Sequence, residues 1–182
     1  MKAYLCLLAA LALVLAACGT QEKQAAAEGV QLWFAVDARQ PDYGHGPALA
    51  CEPYQPPESQ IGTPEGESDP NPGALLEALM NGPKDPELTS PFPRGLTFQW
   101  WEWDPDNPGT LRVGMSEQYG GLTDISLTLA DYCIVLTLSQ LEGVETVEIT
   151  ARGRQVSYRS HQVLSAEEAV LWDELAGETA AP

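Results

Sequence analysis

An apolar run at the N-terminus decides how much of this chain is free to fold into a domain. Lys2 is the single positive charge before it, and Tyr4 to Val14 form an uninterrupted apolar stretch. Such a stretch of about 10–14 residues is too short to cross a bilayer as a stable helix. Basic start, apolar run and small residues in that order are typical of a secretory signal. Residues 1–17 are therefore predicted to be a signal peptide that takes no part in the fold.

The end of this segment predicts how the protein is held at a membrane. Leu15, Ala16 and Ala17 lead directly to Cys18, and this sequence resembles the lipobox of bacterial lipoproteins. In that family the cysteine sulfur receives a diacylglyceryl group before the signal is cut away. The resemblance implies a lipid anchor on Cys18, outside the cytoplasmic membrane. Two acyl chains suit this role, because one chain alone gives marginal anchoring. The alternative is an ordinary transmembrane anchor or an accidental cysteine.

The charge balance restricts the possible partners. The chain has 9 Lys+Arg against 26 Asp+Glu, a formal net charge of −17, and loss of Lys2 with the signal makes the remainder more acidic still. Binding of nucleic acid, or of an anionic membrane through a basic patch, is disfavoured. We therefore expect no nucleic-acid partner, and membrane attachment through the lipid alone.

The rest of the sequence divides by composition into a tether and one domain. Residues 18–29 are predicted to be the lipidated cysteine and a flexible tether. Residues 30–165 are predicted to form the domain, interrupted by a long irregular insertion rich in Pro and Gly at 37–72. Residues 166–182 are expected to be a C-terminal helical turn and tail.

Periodicity and capping residues predict the elements of the domain. Alternating apolar residues predict a strand over 30–36. Asn71 and Pro72 predict the start of a helix that Gly82 ends. A sequence resembling a capping box, Thr128 to Asp131, predicts a second helix that Gly143 ends. Strands over 144–151 and 155–158 follow, and Ser165 predicts a final capped turn.

A β-hairpin is predicted between residues 96 and 115, around a turn-forming sequence at 104–109. With residues 103 and 110 facing each other, Phe98 lies opposite Met115 and Trp100 opposite Val113. This register places Trp100 in the core. Three candidate partner-binding residues share the opposite face, with Arg112 beside Trp101 for a cation–π contact: Trp101, Trp103 and Arg112. Either the 37–72 segment or the C-terminal segment covers that face, or the face is an exposed platform for a partner or a cell-wall sugar.

The order of elements (strand, long loop, helix, hairpin, helix, strand) indicates an α+β fold. We predict a small sheet with two helices packed on one face.

Two cysteines, Cys51 and Cys133, remain after the signal and the lipid site are set aside. An exported location permits a disulfide between them. Alternatively, Cys133 is a free thiol that packs in an apolar helix.

Residues capable of catalysis or metal binding are scarce. His45 and His161 have no Cys or His partner at ligand spacing. The turn from Asp104 to Gly109 is a poor calcium loop, because Met115 stands where a bidentate Glu belongs. No motif sets a His beside a nucleophilic Ser or Cys. We expect no cofactor, no metal and no enzymatic activity.

Several segments together resemble successive blocks of a GerMN domain, found in sporulation and spore-germination lipoproteins. These segments are 75–83, 91–103, 111–119 and 127–153, and the most specific parts are 81–83 and 137–144. The resemblance extends over about residues 30–165. It implies an α/β sandwich similar to ring-building motifs, with two helices on one face of a three-stranded sheet. A well-known germination member has two tandem copies, whereas this chain has one.

The resemblance implies a binding or assembly module and supplies no catalytic residues. We expect a lipid-anchored envelope module in sporulation or germination, with an envelope protein or peptidoglycan as partner. The alternative is a lipoprotein that captures a small molecule or a peptidoglycan fragment. A pocket between the Trp101 face and the 37–72 segment favours capture, whereas an open sheet edge favours assembly.

The lipid anchor can be tested by one substitution. Cys18→Ala removes the sulfur that carries the diacylglyceryl group, so the chain is expected to take up no lipid and to remain as an uncleaved or mislocalised precursor. Metabolic labelling with a fatty acid measures this. Label retained by the variant would contradict the prediction.

Overall fold

The structure, a computed structural model, describes residues 29–37, 39, 48–56, 70–156 and 163–169. The predicted signal peptide, Cys18, His45 and His161 lie outside the described residues. None of the described helices is both long enough and apolar enough to cross a membrane.

The described residues form seven strands in two sheets, two α-helices and one 3-10 helix. In chain order they are β1 Gln31–Val36, β2 Leu49–Pro53, α1 Pro72–Asn81, β3 Leu88–Thr89, β4 Phe98–Trp103, β5 Thr110–Met115, a 3-10 helix Glu117–Gly121, α2 Asp124–Leu138, β6 Thr146–Ala151 and β7 Val163–Leu164. One sheet has the order β2-β1-β3 and the other β4-β5-β6-β7. The α+β class is confirmed. The prediction of one small sheet was incomplete, because β1, β2 and β3 form a sheet of their own.

The main core lies on the helix-facing side of the four-stranded sheet. β5 and β6 pair in parallel, and parallel neighbours need a crossover, which α2 supplies. On that side β5 contributes Leu111, Val113 and Met115, and β6 contributes Val147 and Ile149, all fully buried. Because the side chains of a strand alternate between faces, the residues between them lie on the other face of the sheet.

Helix α1 begins and ends as its sequence predicts. The Asn71 side chain accepts a hydrogen bond from the Ala74 N–H at 2.9 Å, and Pro72 occupies the first turn. Gly82 ends the helix with φ 84°, a conformation that glycine adopts without steric cost. Leu75, Leu76 and Leu79 are fully buried. The cap and the apolar face therefore define this helix from local sequence alone.

Helix α2 differs from its prediction at both ends. It begins at Asp124, so Thr128 lies inside it, where its hydroxyl donates to the Asp124 carbonyl at 3.2 Å. Asp131, predicted as part of a capping box, is buried and accepts a hydrogen bond from the Tyr119 hydroxyl. The helix ends at Leu138, and Gly143 turns the following loop with φ 81°. Tertiary contacts thus use side chains that resemble local caps in the sequence.

Part of the predicted 37–72 insertion is a strand. β2 pairs antiparallel with β1 along its whole length. Glu52 of β2 is buried, and its carboxylate accepts hydrogen bonds from the backbone N–H groups of Lys84 and Asp85 at 2.9–3.1 Å. Lys84 and Asp85 belong to the loop that leads from α1 to β3. The irregular composition of this region conceals its order, because Glu52 bonds with residues more than thirty positions away.

The C-terminal part agrees only partly with its prediction. Of the strand predicted over 155–158, residues 155–156 form no strand, and the other two lie outside the described range. The capped turn is present, because both the N–H and the hydroxyl of Ser165 donate to the Glu168 carboxylate.

The end of α2 closes one edge of β1. The Trp33 N–H donates to the Thr137 hydroxyl at 3.0 Å, and the Gln31 N–H donates to the Gln140 side-chain oxygen at 2.9 Å. The Gln140 amide also donates to the Gln31 carbonyl at 2.8 Å. β3 completes this side farther along, opposite Ala35. Two polar side chains of the 137–144 segment therefore supply the hydrogen bonds that a neighbouring strand would supply to this edge of β1.

This closure predicts a stability loss for an isosteric substitution. Thr137→Val keeps the volume but leaves the partly buried Trp33 N–H without its acceptor. We expect the free energy of unfolding to fall by about 1–3 kcal/mol, measured by urea denaturation. Thr128→Val, at an exposed hydroxyl of the same helix, is the matched control. Equal losses in both variants would show that helix propensity, and not edge closure, is responsible.

Candidate functional site

The aromatic strand β4 contains a bulge that the sequence prediction missed. Phe98 lies opposite Met115 as predicted, but Trp100 lies opposite Gly114 and Trp101 opposite Val113. The pairing shifts by one residue between Phe98 and Trp100. A bulge of this kind places two residues against one and changes the face on which later side chains lie. The predicted pairing of Trp100 with Val113 was therefore wrong.

The bulge turns Trp101 and Trp103 toward the helices. They lie opposite Val113 and Leu111, which are both fully buried. Trp101 packs against the core cluster, and a Cβ atom at Gly73 of α1 would lie 3.1 Å from its indole nitrogen. Trp103, nearer the turn, remains 46% exposed. Trp101 is thus part of the packing against α1, contrary to its predicted place on an outer platform.

Trp100 lies on the opposite face of the sheet, and its ring covers the backbone of Gly114 on β5. A Cβ atom at Gly114 would lie only 2.1 Å from the Trp100 ring, so no larger residue fits there without displacing the indole. Trp100 was predicted in the core, and the bulge is the reason that it is not. Gly114 is the signal that was overlooked, because glycine inside a strand often marks a bulge or a close approach.

Arg112 lies on the Trp100 face, in an acidic setting. Its guanidinium bonds with Glu102 at 2.9 Å and with Glu148 at 3.0 Å. The predicted contact with Trp101 is not formed, since Trp101 faces the helices. The three predicted partner-binding residues are therefore divided between two faces and do not make one platform. Whether any of them contacts a partner stays a prediction.

Two recesses border α1. One, of about 370 Å³, lies between α1 and the start of β4 and is lined by Glu77, Met80, Asn81, Leu96, Thr97 and Phe98. The other, of about 480 Å³, lies between α1 and the end of β2, and Leu32, Tyr54, Ala78 and Lys84 are among its lining residues. Burial, and secondarily the charge of Glu77, raises the pKa of Tyr54. Trp101 lines neither recess.

A third recess carries two arginines and one glutamate. Its volume is about 680 Å³, and Glu117, Arg152 and Arg154 are among its lining residues. Arg152 forms an exposed ion pair with Glu117 at 3.0 Å. Exposed pairs of this kind contribute little to stability.

The two cysteines of the described residues differ in exposure. Cys51 is exposed and Cys133 is buried, and both are free thiols, which agrees with the free-thiol alternative for Cys133. Burial raises the pKa of both thiols, and far more strongly at Cys133, which disfavours a reactive thiolate there. Within the described ranges no three His, Cys, Asp or Glu side chains come together as metal ligands.

The Asp104 carboxylate forms its hydrogen bonds within the turn at 104–109. The Asp104 carboxylate accepts hydrogen bonds from the Asn107 side chain at 3.0 Å and from the Asp106 N–H at 2.9 Å. These bonds, that of Asn107 foremost, lower the pKa of Asp104. A rigid hairpin turn accounts for this segment without a cation.

Taken together, these features define an α+β domain with an aromatic edge strand and no assembled reactive centre among its described residues. The model of the Germane family, described as "Sporulation and spore germination", matches residues 48–157, more than half of the 182 residues. The chain belongs to this family. The resemblance to GerMN domains is thereby confirmed.

Solved structures of the same fold come from the sporulation protein GerM of Bacillus subtilis. The first GerMN domain of GerM is 15% identical with a TM-score of 0.52, and the match covers 76% of this chain and 98% of that one. The tandem GerMN domains are 16% identical with a TM-score of 0.52, and the match covers 75% of this chain but 45% of the tandem structure. At such identities the likeness concerns the fold alone. No curated protein sequence matches this chain significantly.

The contact between Trp100 and Gly114 predicts a non-additive pair of substitutions. Gly114→Ala forces the indole to move, and we expect it to lower the free energy of unfolding by about 1–3 kcal/mol. In a Trp100→Ala background the ring that the methyl group would meet is absent, so the same substitution should cost far less. Urea denaturation of the four chains gives the coupling energy. Equal costs in both backgrounds would contradict the bulged register.

Proposed function

We propose that this protein is a lipid-anchored, non-enzymatic binding or assembly module of the bacterial envelope, acting in sporulation or germination. The observation that carries the proposal is membership in the Germane family, joined to the pattern at residues 15–18 that resembles a lipobox. The lipid on Cys18 would hold the domain at the outer side of the membrane, and residues 19–29 would let it reach its partner.

The hydrogen bonds and burial of the acidic and thiol side chains support a binding role over a catalytic one. The buried carboxylates of Glu52 and Asp131 accept hydrogen bonds from the backbone and from Tyr119. Cys133 packs with Ala35 and Leu49. Catalytic acids, bases and nucleophiles need to meet substrate in a cleft. Asp131 and Cys133 are buried in the fold, and Glu52, which lines the recess between α1 and β2, is already engaged by backbone N–H groups.

The proposal is tested by capturing partners in the cell. The lipidated chain is cross-linked in vegetative and in sporulating cells, purified in detergent, and its co-purifying proteins are identified by mass spectrometry. We expect one envelope protein to be enriched, and enriched more strongly in sporulating cells. The Cys18→Ala chain is the matched control, since it lacks the anchor. Equal recoveries from wild-type and control chains in both cell types would refute the assembly role.

The recess between α1 and the end of β2 favours a second candidate, capture of a small ligand. Its volume of about 480 Å³ falls within the range of about 300–1,000 Å³ that is usual for ligand sites. Leu32 and Ala78 supply apolar lining, and Glu77 and Lys84 supply opposite charges. Soluble peptidoglycan fragments should then raise the thermal unfolding temperature, and an Ala78→Trp substitution that fills the recess should abolish the rise.

A further inference from the structure

The outer edge of β4 carries backbone groups that pair with no other strand of the described residues. β4 is the first strand of its sheet, with only β5 beside it. The Asp104 N–H donates to the Thr110 carbonyl at 3.0 Å. This bond shows which alternate residues of β4 form backbone hydrogen bonds with β5. Asp104 and Glu102 therefore direct their backbone groups toward β5, and Trp101 and Trp103 direct theirs away from the sheet.

The outer edges of β2 and β4 differ in the residues that hinder pairing with another chain. On β2 the Tyr54 N–H donates inward to the Val30 carbonyl, so Pro53 lies at an outward position where it offers no N–H. Proline at an edge strand hinders pairing with other chains. β4 has no Pro or Lys among its six residues, and its bulge lies before Trp101. Its second half is thus a regular edge without these protecting residues.

The surface beside this edge offers apolar side chains on one face and a half-exposed carboxylate on the other. On the helix side, the groove between α1 and the start of β4 contains Met80, Leu96 and Phe98 beside polar residues of α1 and of the chain leading into β4. Trp103, which is 46% exposed, lies on the same face at the other end of the strand. On the opposite face the Glu102 side chain is 53% exposed and bonds with Arg112 at 2.9 Å through one carboxylate oxygen. An added strand would therefore meet apolar groups on one face and a carboxylate on the other.

We infer that the outer edge of β4 pairs with an extended segment of a partner protein, apolar on the face toward α1 and carrying a Lys or Arg opposite Glu102. This inference rests on the proposed function, and it assigns the surface that the function uses. Main-chain hydrogen bonds supply affinity in strand addition, and alternate side chains supply specificity. The groove beside Met80 and the exposed indole of Trp103 receive the apolar side chains.

Charge selects a basic partner over a second copy of this chain. In a two-fold antiparallel pair that uses Trp101 and Trp103 of both copies, each Glu102 lies directly opposite its counterpart. Like charges in that position destabilise a sheet. The net charge of −17 adds a general repulsion between copies, whereas it attracts a basic segment.

The test uses a seven-residue peptide of alternating Lys and Val with blocked termini, titrated into the detergent-solubilised full chain and followed by fluorescence anisotropy. The same peptide with N-methyl groups on the residues that face β4 keeps its charge but cannot donate backbone hydrogen bonds. We expect the methylated peptide to bind at least tenfold more weakly, and a Glu-for-Lys peptide to show no binding.

Variants of the protein test the same contact from the other side. Trp103→Pro removes an N–H that the β5 ladder does not use, and Trp103→Ala, which keeps that N–H, is the matched control for loss of the indole. We expect Trp103→Pro to weaken binding at least tenfold beyond Trp103→Ala, and Glu102→Gln to weaken it severalfold. The methylated peptide tests the inference on the wild-type chain, independently of how these variants fold.

Several outcomes would overturn the inference. These are no binding of the Lys–Val peptide, equal binding of its methylated form, or equal binding to the Pro and Ala variants. A dimer in sedimentation that Trp103→Pro dissociates would assign the edge to a second copy instead. Failure of the proposed function is separate: it is the absence of any enriched envelope protein in cells. A partner recovered equally by wild-type and Trp103→Pro chains would refute the edge alone.

Discussion

The burial of α2 on two sides holds this domain together. A helix that is apolar around most of its circumference has to be covered on more than one face. Ile134, Val135 and Leu138 belong to the main core with the four-stranded sheet, whereas Cys133 packs with Ala35 and Leu49 of the small sheet. Both sheets are therefore organised around one helix. The parallel pairing of β5 and β6 depends on the same helix, because α2 is the crossover between them.

The end of α2 also shows how the fold treats exposed backbone. Thr137 and Gln140 bond with the edge of β1 that β3 is too short to cover. Both belong to the 137–144 segment, one of the most specific parts of the resemblance to GerMN domains. Thr137 lies in the last turn of α2 and Gln140 in the turn that follows it, so the end of the helix brings both side chains beside β1. A sequence motif without reactive groups is thus explained by hydrogen-bond geometry.

The distribution of aromatic residues on β4 links packing with exposure. Trp101 packs beneath the first turn of α1, Trp100 lies over Gly114, and Trp103 reaches solvent. One strand therefore contributes to the core, to the outer face and to the edge of the sheet. This division depends on the single extra residue of the bulge, because side chains alternate strictly along a regular strand.

Local sequence determined the features that depend on a few neighbouring residues. Asn71, Pro72 and Gly82 define α1, and alternation with a turn-forming sequence defines the hairpin and its Phe98–Met115 pair. The order of elements was sufficient to predict the α+β class. Tertiary structure alone decided the pairing of β2 with β1, the ends of α2, and the faces of Trp100 and Trp101. Each of these depends on partners distant in sequence: Glu52 on the loop at 84–85, Asp131 on Tyr119, and Trp100 on the space above Gly114. A periodic pattern records which residues prefer burial, but the insertion of one residue by a bulge is settled only by the packing of the neighbouring strand.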